Sequence, residues 1–397
     1  MSKKGLRDID VRGKRVLVRV DLNVPMGRET GAISDDTRLK AVLPTIRYLV
    51  EQGARVVLCS HLGRPGGKVV ESMRMAPVAQ ALSALLGREV ATATDCIGPE
   101  VEAAAAALND GDVLLLENLR FHPEEERNDP EFARALARLG EVYIDDAFGT
   151  AHRAHASTVG VAQYLPAVAG LLLERELDAL GGALESPARP LAALIGGAKI
   201  SDKIGVLEHI LARVDSLLIG GGMVSTFARA LGHTVGSSAV EEDKIELAQD
   251  LMERARKRDV RLLLPEDVCV ADGFHPEAAS RVVPLSDIPD GWLIMDIGPK
   301  TIARFEEELI TCRTVIWNGP MGVFEYPKFQ EGTYAMARLL AGLDAATIIG
   351  GGSTAEAVAE LGLADRMTHV STGGGASLEF LEGKTLPGIA VLAEREG

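Results

Sequence analysis

Four arginines and a histidine in the first half of the chain, Arg38, His61, Arg64, Arg120 and Arg153, stand beside expected strand ends and turns. The second half is marked instead by glycine clusters at Gly196-Gly197, Gly220–Gly222, Gly350–Gly352 and Gly373–Gly375. Guanidinium groups are planar forks that bind phosphate or carboxylate through paired hydrogen bonds. Bare glycine backbone opening a helix lets phosphates come close to N–H groups. One half suited to a small anionic metabolite and one half suited to a nucleotide is the outline of a two-domain kinase.

Each of these segments also has a plainer reading. In "VRVDLNVP", Asp21 and Asn23 follow an apolar run and could accept from substrate hydroxyls, but alone they read better as an Asx-turn ending a strand. "DDTRLKAVLPTI" reads as a helix start with Asp36 or Thr37 as cap. Arg38 then falls in the first turn, where the helix dipole disfavours a cation, so it serves an anionic partner or simply lies at the surface. "CSHLGRP" presents His61 and Arg64 on a turn, as donors to an anion or as solvated residues. "LLLENLRFHPEEERND" sets Arg120 and His122 after a strand, and its acidic run Glu124–Glu126 reads as a solvated loop. In "DDAFGTAHRAHAS", His152 and His155 have a metal-ligand spacing, but no third ligand of suitable spacing accompanies them.

In the second half, "LIGGAKISDKIGVL" reads as strand, Gly-Gly turn and helix, with Lys199 and Lys203 on one helical face near its positive end. Like charges stacked there cost energy unless an anion offsets them. The segment is not a Walker loop, since G-x-x-x-x-G-K-[ST] occurs nowhere in the chain. "LLIGGGMVSTF", "TIIGGGSTAEAV" and "STGGGASLEFLEG" each read as strand, triple glycine and helix, more such turns than chain reversal needs. "WNGPMGVFE" ends a strand at Asn318 and brings Glu325, a carboxylate for ribose hydroxyls or a surface loop acid.

The elements that must position these residues alternate along the chain. Strands are expected at Arg15–Val20, Arg55–Ser60, Val113–Leu116 and Val142–Asp145, with helices near Leu39–Gln52, Ala76–Leu86 and Pro130–Leu139. Further strands are expected at Leu191–Ile195, Ser216–Ile219, Arg261–Leu264, Thr314–Trp317, Thr347–Ile349 and Thr368–Ser371. Strand–helix alternation with near-continuous apolar strands predicts parallel sheets covered on both faces. The notable residues fall after the strands, where open parallel sheets bind ligands. An amphipathic helix is expected after Pro166, ending before Pro187 and Pro190, as the join between two domains.

Composition limits the partners. The chain has 397 residues, enough for two domains, and a formal net charge of −15, which argues against nucleic acid or an anionic membrane. In so acidic a protein, arginines gathered at turns are the more telling. The N-terminus carries no apolar signal core and no run is long and apolar enough for a membrane span. Cys59, Cys96, Cys269 and Cys312 form no CxxC pair, so neither a zinc site nor a redox pair is suggested, and free thiols suit a reducing cytoplasm.

Taken in order, "VDLNVP", "SHLGRP", "ENLRFH", "DDAFGTAHRAHAS", "GGAKISDKIGVL", "GGGM", "WNGPMGVFE", "GGGST" and "STGGGASLEFLEG" resemble the phosphoglycerate kinase family over Asp21 to Gly383. The resemblance implies an α/β protein of two Rossmann-like three-layer α/β/α domains with mainly parallel sheets, joined by a hinge helix. The implied layout is an N-terminal domain over 1–170, the interdomain helix over 171–186, a C-terminal domain over 187–385, and a segment 386–397 returning to the N-terminal domain. The implied activity is reversible phosphoryl transfer from 1,3-bisphosphoglycerate to ADP, giving 3-phosphoglycerate and ATP, by hinge closure. Asp21, Asn23, Arg38, His61, Arg64, Arg120 and Arg153 are the implied substrate residues. Lys199, Lys203, Gly221, Asn318, Glu325, Gly350, Gly351, Gly352, Ser353 and Thr354 are the implied nucleotide residues, with Mg²⁺ bound beside the phosphates. Arg38, Lys199, Gly373 and Gly374 are the implied groups around the transferring phosphoryl. A cytoplasmic glycolytic monomer is the family expectation.

One position departs from the family pattern. An Asp usually follows the triple glycine as a magnesium contact, whereas this chain has Ser353 and then Thr354. A neutral hydroxyl is a weaker ligand for Mg²⁺ than a carboxylate. Three other readings remain at this stage: a two-domain kinase or ligase for a different acid, a hinge-closing binding protein, and an inactive relative. The Lys199/Lys203 pair and the glycine turns speak against the second, and Ser353 alone supports the third.

Overall fold

Uninterrupted burial of Val16–Val20 and Val56–Cys59 marks strands covered on both faces, and that pattern fixes the framework of the N-terminal unit. The computed structural model describes residues 3–27 and 31–395. These divide into two units, one running to Asp178 and resuming at Thr385, the other Ala179–Lys384.

In the first unit the strands are β1 (Arg15–Val20), β2 (Arg55–Cys59), β3 (Ala91–Thr92), β4 (Val113–Leu115), β5 (Val142–Asp146) and β6 (Ala167–Ala169). They form one sheet of order β3-β4-β2-β1-β5-β6, parallel throughout. The helix Thr37–Glu51 buries Leu39, Val42, Ile46 and Leu49, spaced at helical period, against Val16, Val18 and Leu58 of the sheet. Fully burying each such side chain stabilises by about 1.5–3 kcal/mol. Asp36 occupies the cap position, but the hydrogen bond to the free end comes from Asp35, whose Oδ1 accepts from the Thr37 amide at 2.8 Å. The end of the chain joins this unit: Ala393 donates to the Ala167 carbonyl at 3.0 Å and accepts from the Lys4 amide at 2.8 Å.

In the second unit the strands are β7 (Leu191–Ile195), β8 (Ser216–Ile219), β9 (Thr234–Val235), β10 (Arg261–Leu263), β11 (Asp267–Ala271), β12 (Ser280–Pro284), β13 (Asp287–Ile288), β14 (Leu293–Ile297), β15 (Thr314–Asn318), β16 (Ala346–Gly350) and β17 (His369–Val370). The principal sheet, β10-β8-β7-β15-β16-β17, is parallel. Trp317, Phe305 and Met336 fill the core on one of its faces. A small antiparallel sheet, β12-β11-β14, stands beside it.

The expected strands are present with ends shifted by a residue or so, and the mainly parallel α/β class holds. Two expectations need correction. The segment after Pro166 first forms the edge strand β6, and the helix begins only at Leu171, because Ala169 pairs with Asp145 before the chain can turn. That helix, Leu171–Glu185, carries the chain from one unit into the other, the division falling after Asp178. Lys199 and Lys203 do not share a helical face. Lys199 lies in the irregular segment after β7, Ser201–Lys203 is a single 3₁₀ turn, and the helix proper is Ile204–Leu211.

Candidate active site

In the first unit the residues after β1, β2, β4 and β5 gather around His61. Asn23 accepts from the Gly63 amide at 2.8 Å, and Arg120 donates to the Gly63 carbonyl at 2.9 Å, so both fix the turn that presents Arg64. Arg64 is exposed and has no side-chain partner among the described residues. Asp21 performs two tasks. Its Oδ1 accepts from the Asn23 amide at 3.1 Å, the plain Asx-turn, and its carboxylate holds Arg38 at 2.9 and 3.0 Å. Arg153, in the loop after β5, donates to His152 Nε2 at 3.2 Å.

His61 is buried, and its proton affinity is pushed well below that of an ordinary imidazole, first by desolvation and then by Arg19, Arg120, Arg38 and Arg153. It is therefore neutral. An arginine has no acceptor, so the Arg19 nitrogen 3.0 Å away must donate to His61 Nδ1, which leaves the proton on Nε2. The result is a neutral donor held in one tautomer amid four arginines. Burial also lowers His155 to about 4, with Arg19, Arg120 and Arg153 contributing. Burial is the larger cause of both shifts, and the arginines that add to it give the cluster a positive potential that suits a multiply charged anion.

Arg19 was not among the expected residues, and it organises the cluster. It is fully buried, donates to Ser157 Oγ at 2.9 Å and to the Val20 carbonyl, and holds His61. Ser157 links it to Glu125, also fully buried, which accepts from the Ser157 amide at 2.9 Å and from the Ser157 hydroxyl. The reading of Glu124–Glu126 as a solvated loop is thus wrong for Glu125, which carries this network, and incomplete for Glu126, which faces Arg120 at 3.3 Å. The signal for Arg19 was present, since arginine is almost never fully buried unless paired and this one interrupts an apolar strand. Nothing local distinguished Glu125 from its neighbours.

In the second unit, a cavity of about 460 Å³ is lined by Gly221, Ala239, Phe274, Leu293, Val323 and Glu325, among others. Its walls are small and apolar, the shape for a flat base, and Glu325 stands exposed at its rim. A more open groove of about 550 Å³, bordered by Leu231, Met252, Leu264 and Arg304, gathers none of the expected residues. The loops beside the cavity meet backbone to backbone. A Cβ on Gly319, which has φ +97°, would lie 2.2 Å from the Gly196 carbonyl oxygen, and one on Gly221 would lie 2.5 Å from Gly197. Only glycine permits both the conformation and the approach.

Lys203 is half-buried and loses proton affinity through desolvation, and it donates to Asn318 Oδ1. Because lysine is donor-only, the Asn318 carbonyl must face it, and the amide nitrogen turns the other way. That Nδ2 is buried, has no partner, and lies 3.0 and 3.4 Å from where side chains on Gly350 and Gly351 would begin. An unpaired buried donor beside a glycine turn fits a phosphate oxygen. The helix Gly352–Glu360 begins there, with Gly351 at φ +89°. Ser353 is exposed in its first turn, while Thr354 is buried and accepts from the Gly319 amide at 2.8 Å. Thr354 thus fixes the Asn318 loop with its hydroxyl. Gly373 donates to Ser371 Oγ at 3.1 Å, and Gly374 turns the chain into the helix Gly375–Leu381. Lys199 is exposed.

Two α/β units, one with an arginine-rich anion cluster and one with a base-sized cavity beside glycine turns, define a phosphotransferase for an anionic metabolite and a nucleotide. The particular family is shown by sequence. A family profile described as "Phosphoglycerate kinase" matches residues 6–384. Phosphoglycerate kinase from Moorella thermoacetica is 58% identical over 395 residues, covering 100% of both chains. That of Synechococcus elongatus is 59% identical over 399 residues, with 99% of each chain covered. Among solved structures, phosphoglycerate kinase from Coxiella burnetii superposes with TM-score 0.90 at 42% identity, covering 98% of each chain, and that from Pyrococcus horikoshii with TM-score 0.85 at 35% identity and the same coverage. The chain belongs to the phosphoglycerate kinase family. Its activity is that family's reaction, transfer of a phosphoryl group between 1,3-bisphosphoglycerate and ADP, giving 3-phosphoglycerate and ATP. Among the described residues no helix is long and apolar enough to cross a membrane.

Proposed function

We propose that the first unit holds the phosphoglycerate and the second the adenine nucleotide, with the residue roles that follow. The observation that carries the assignment is the convergence of Arg19, Arg38, Arg120 and Arg153 on a neutral His61. Arg64, Arg120, Arg153 and the Nε2 proton of His61 grip the phosphate that is not transferred. Asp21 and Asn23 orient the hydroxyl side of the substrate. Arg38, released from Asp21 as substrate binds, neutralises charge on the transferring group together with Lys199 and the amides at Gly373 and Gly374. Lys203 and the Asn318 amide hold nucleotide phosphates over Gly350–Gly352, the apolar cavity takes the base beside Gly221, and Glu325 accepts from the ribose.

Chemistry of this kind needs alignment and charge neutralisation rather than a general base, because the ADP nucleophile is already ionised. The acyl phosphate is hydrolysed by water, so the reacting groups must come together with water excluded. The helix Leu171–Glu185 is the proposed hinge of that approach. Mg²⁺ bound with the nucleotide would neutralise phosphate charge. The 350–354 loop would offer it Ser353, a single exposed neutral oxygen, so the ion would rely chiefly on the nucleotide phosphates. A cytoplasmic monomer completes the proposal.

Arg64 gives the cleanest test, since it is exposed and supports no other side chain. Calorimetric titration of Arg64→Ala with 3-phosphoglycerate should show affinity lower by roughly 10–100-fold, the scale of hydrogen bonds to a charged group, with MgADP affinity unchanged. Unchanged 3-phosphoglycerate affinity, or an equal loss for both ligands, would contradict the division of the ligands.

A further inference from the structure

Asp95, Cys96 and His122 come from two separate segments of the first unit, and their ligand atoms lie within 4.8 Å of one another. Asp95 and Cys96 follow β3, and His122 follows the turn Leu119–Phe121. We propose that these three side chains form a site for one thiophilic divalent cation, with Zn²⁺ the best fit, distinct from the Mg²⁺ of the phosphoryl transfer.

The ligand set is a thiol, an imidazole and a carboxylate, the combination that borderline-soft Zn²⁺ takes in tetrahedral sites with a water completing the shell. Tetrahedral bonds of about 2.0–2.3 Å place ligand atoms roughly 3.3–3.6 Å apart, so the wider separations close by about 1–1.5 Å while the 2.7 Å Asp95–His122 contact opens. Hard, octahedral Mg²⁺ has no preference for the sulfur. The ligands are also held in place. Asp95 Oδ1 accepts from the Cys96 amide at 2.7 Å and meets His122 Nε2 at 2.7 Å. The Asp95 carbonyl accepts from the Glu117 amide at 3.3 Å. The His122 ring packs on Phe132 with centroids 5.2 Å apart.

Burial separates the three usefully. Cys96 is inside, whereas the side chains of His122 and Asp95 are 27% and 49% exposed, so an ion and its water enter from their side. When the ion binds, the thiol proton leaves to solvent, the sulfur–metal bond forms, and His122 keeps its remaining proton on Nδ1. The bound ion would tie the loop after β3 to the segment bearing Arg120. Neither the Cys96–His122 spacing nor any CxxC pattern announces the site, because only the fold brings its two halves together.

The test uses the full-length protein stripped with EDTA, without nucleotide. Zn²⁺ is titrated against a chromophoric chelator, and Co²⁺ is substituted to look for the near-ultraviolet thiolate-to-cobalt band. Wild type should bind one tight equivalent, and Cys96→Ala and His122→Gln should each bind it at least about tenfold more weakly. The cobalt band should be present in wild type and absent in Cys96→Ala. Zn²⁺ should raise the melting temperature of wild type but not of His122→Gln. Because His122 is partly exposed, its variant keeps the test decisive if Cys96→Ala does not fold. Equal Zn²⁺ affinity in wild type and His122→Gln, or a cobalt band that survives in Cys96→Ala, would overturn the proposal.

Discussion

Ser353 stands exposed at the first turn of its helix, and in the proposed site its side-chain oxygen would face the cation beside the nucleotide phosphates. Replacing its hydroxyl with a carboxylate adds one anionic Mg²⁺ ligand and, at a helix N-terminus, suits the dipole. Ser353→Asp should therefore tighten MgADP binding by several-fold and lower the Mg²⁺ concentration needed for half-maximal rate. Identical affinity and Mg²⁺ dependence in the two proteins would show that position 353 does not approach the ion. The neighbouring Thr354 is buried and its hydroxyl already accepts from the Gly319 amide, so Ser353 is the more accessible of the two oxygens. Such distinctions lie beyond sequence reasoning, which could place 353 and 354 in one loop but not say which hydroxyl is free. The same limit explains Glu125. Three consecutive glutamates look alike in sequence, and only the packing of the 155–158 turn selects the middle one for burial.

At the scale of elements, the glycine turns were legible because strand, glycine and helix recur in order, but their purpose was only half visible. Gly319 is needed for contact with Gly196 as much as for any ligand. Gly319→Ala should cost roughly 2–5 kcal/mol, the sum of left-handed strain and overpacking, and should abolish nucleotide binding. Denaturant unfolding checks the first part, and a change within about 0.5 kcal/mol would mean that the loops separate easily. Most of the parallel strands were legible as near-continuous apolar runs, but the short edge strands β3 and β6 were not. The antiparallel strand β12 was missed because Arg281 and Val282 lie exposed and its pattern lacks a buried stripe. The lysine pair was misplaced for a related reason: a 3₁₀ turn precedes the helix, and side-chain spacing alone does not distinguish the two.

For the whole molecule, buried ionisable groups set opposing responses to pH. Burial pushes Asp145 and Asp296 each up to about 7 from an ordinary value of 3.8, so the native state holds protons that the unfolded chain releases. Their contribution to stability is complete below about 3.8 and is lost as pH rises through 7. His61 and His155 act the other way. The unfolded chain binds protons near 6.5 that the buried imidazoles refuse, so stability falls as pH drops below that value. Between those limits the two sets offset each other. Asp145→Asn removes one carboxyl while keeping an acceptor for the Ala147 amide, which Asp145 Oδ1 binds at 3.0 Å. The melting temperature of the variant relative to wild type should rise between about pH 4 and pH 7 and level off above that. A constant or falling difference would mean that Asp145 is ionised throughout.

The division of labour between an arginine cluster and a nucleotide cavity is tested most directly by turnover. Purified protein is given 3-phosphoglycerate and MgATP, and glyceraldehyde-3-phosphate dehydrogenase consumes the 1,3-bisphosphoglycerate formed, with NADH loss as the signal. Wild type should turn over robustly, and Arg38→Ala, prepared identically, should lose roughly 10²-fold or more in kcat, the scale of one preorganised transition-state donor. A variant with near-normal kcat and only a raised KM would place Arg38 in ground-state binding. Absence of turnover in wild type, with MgATP still bound, would contradict the account at its centre.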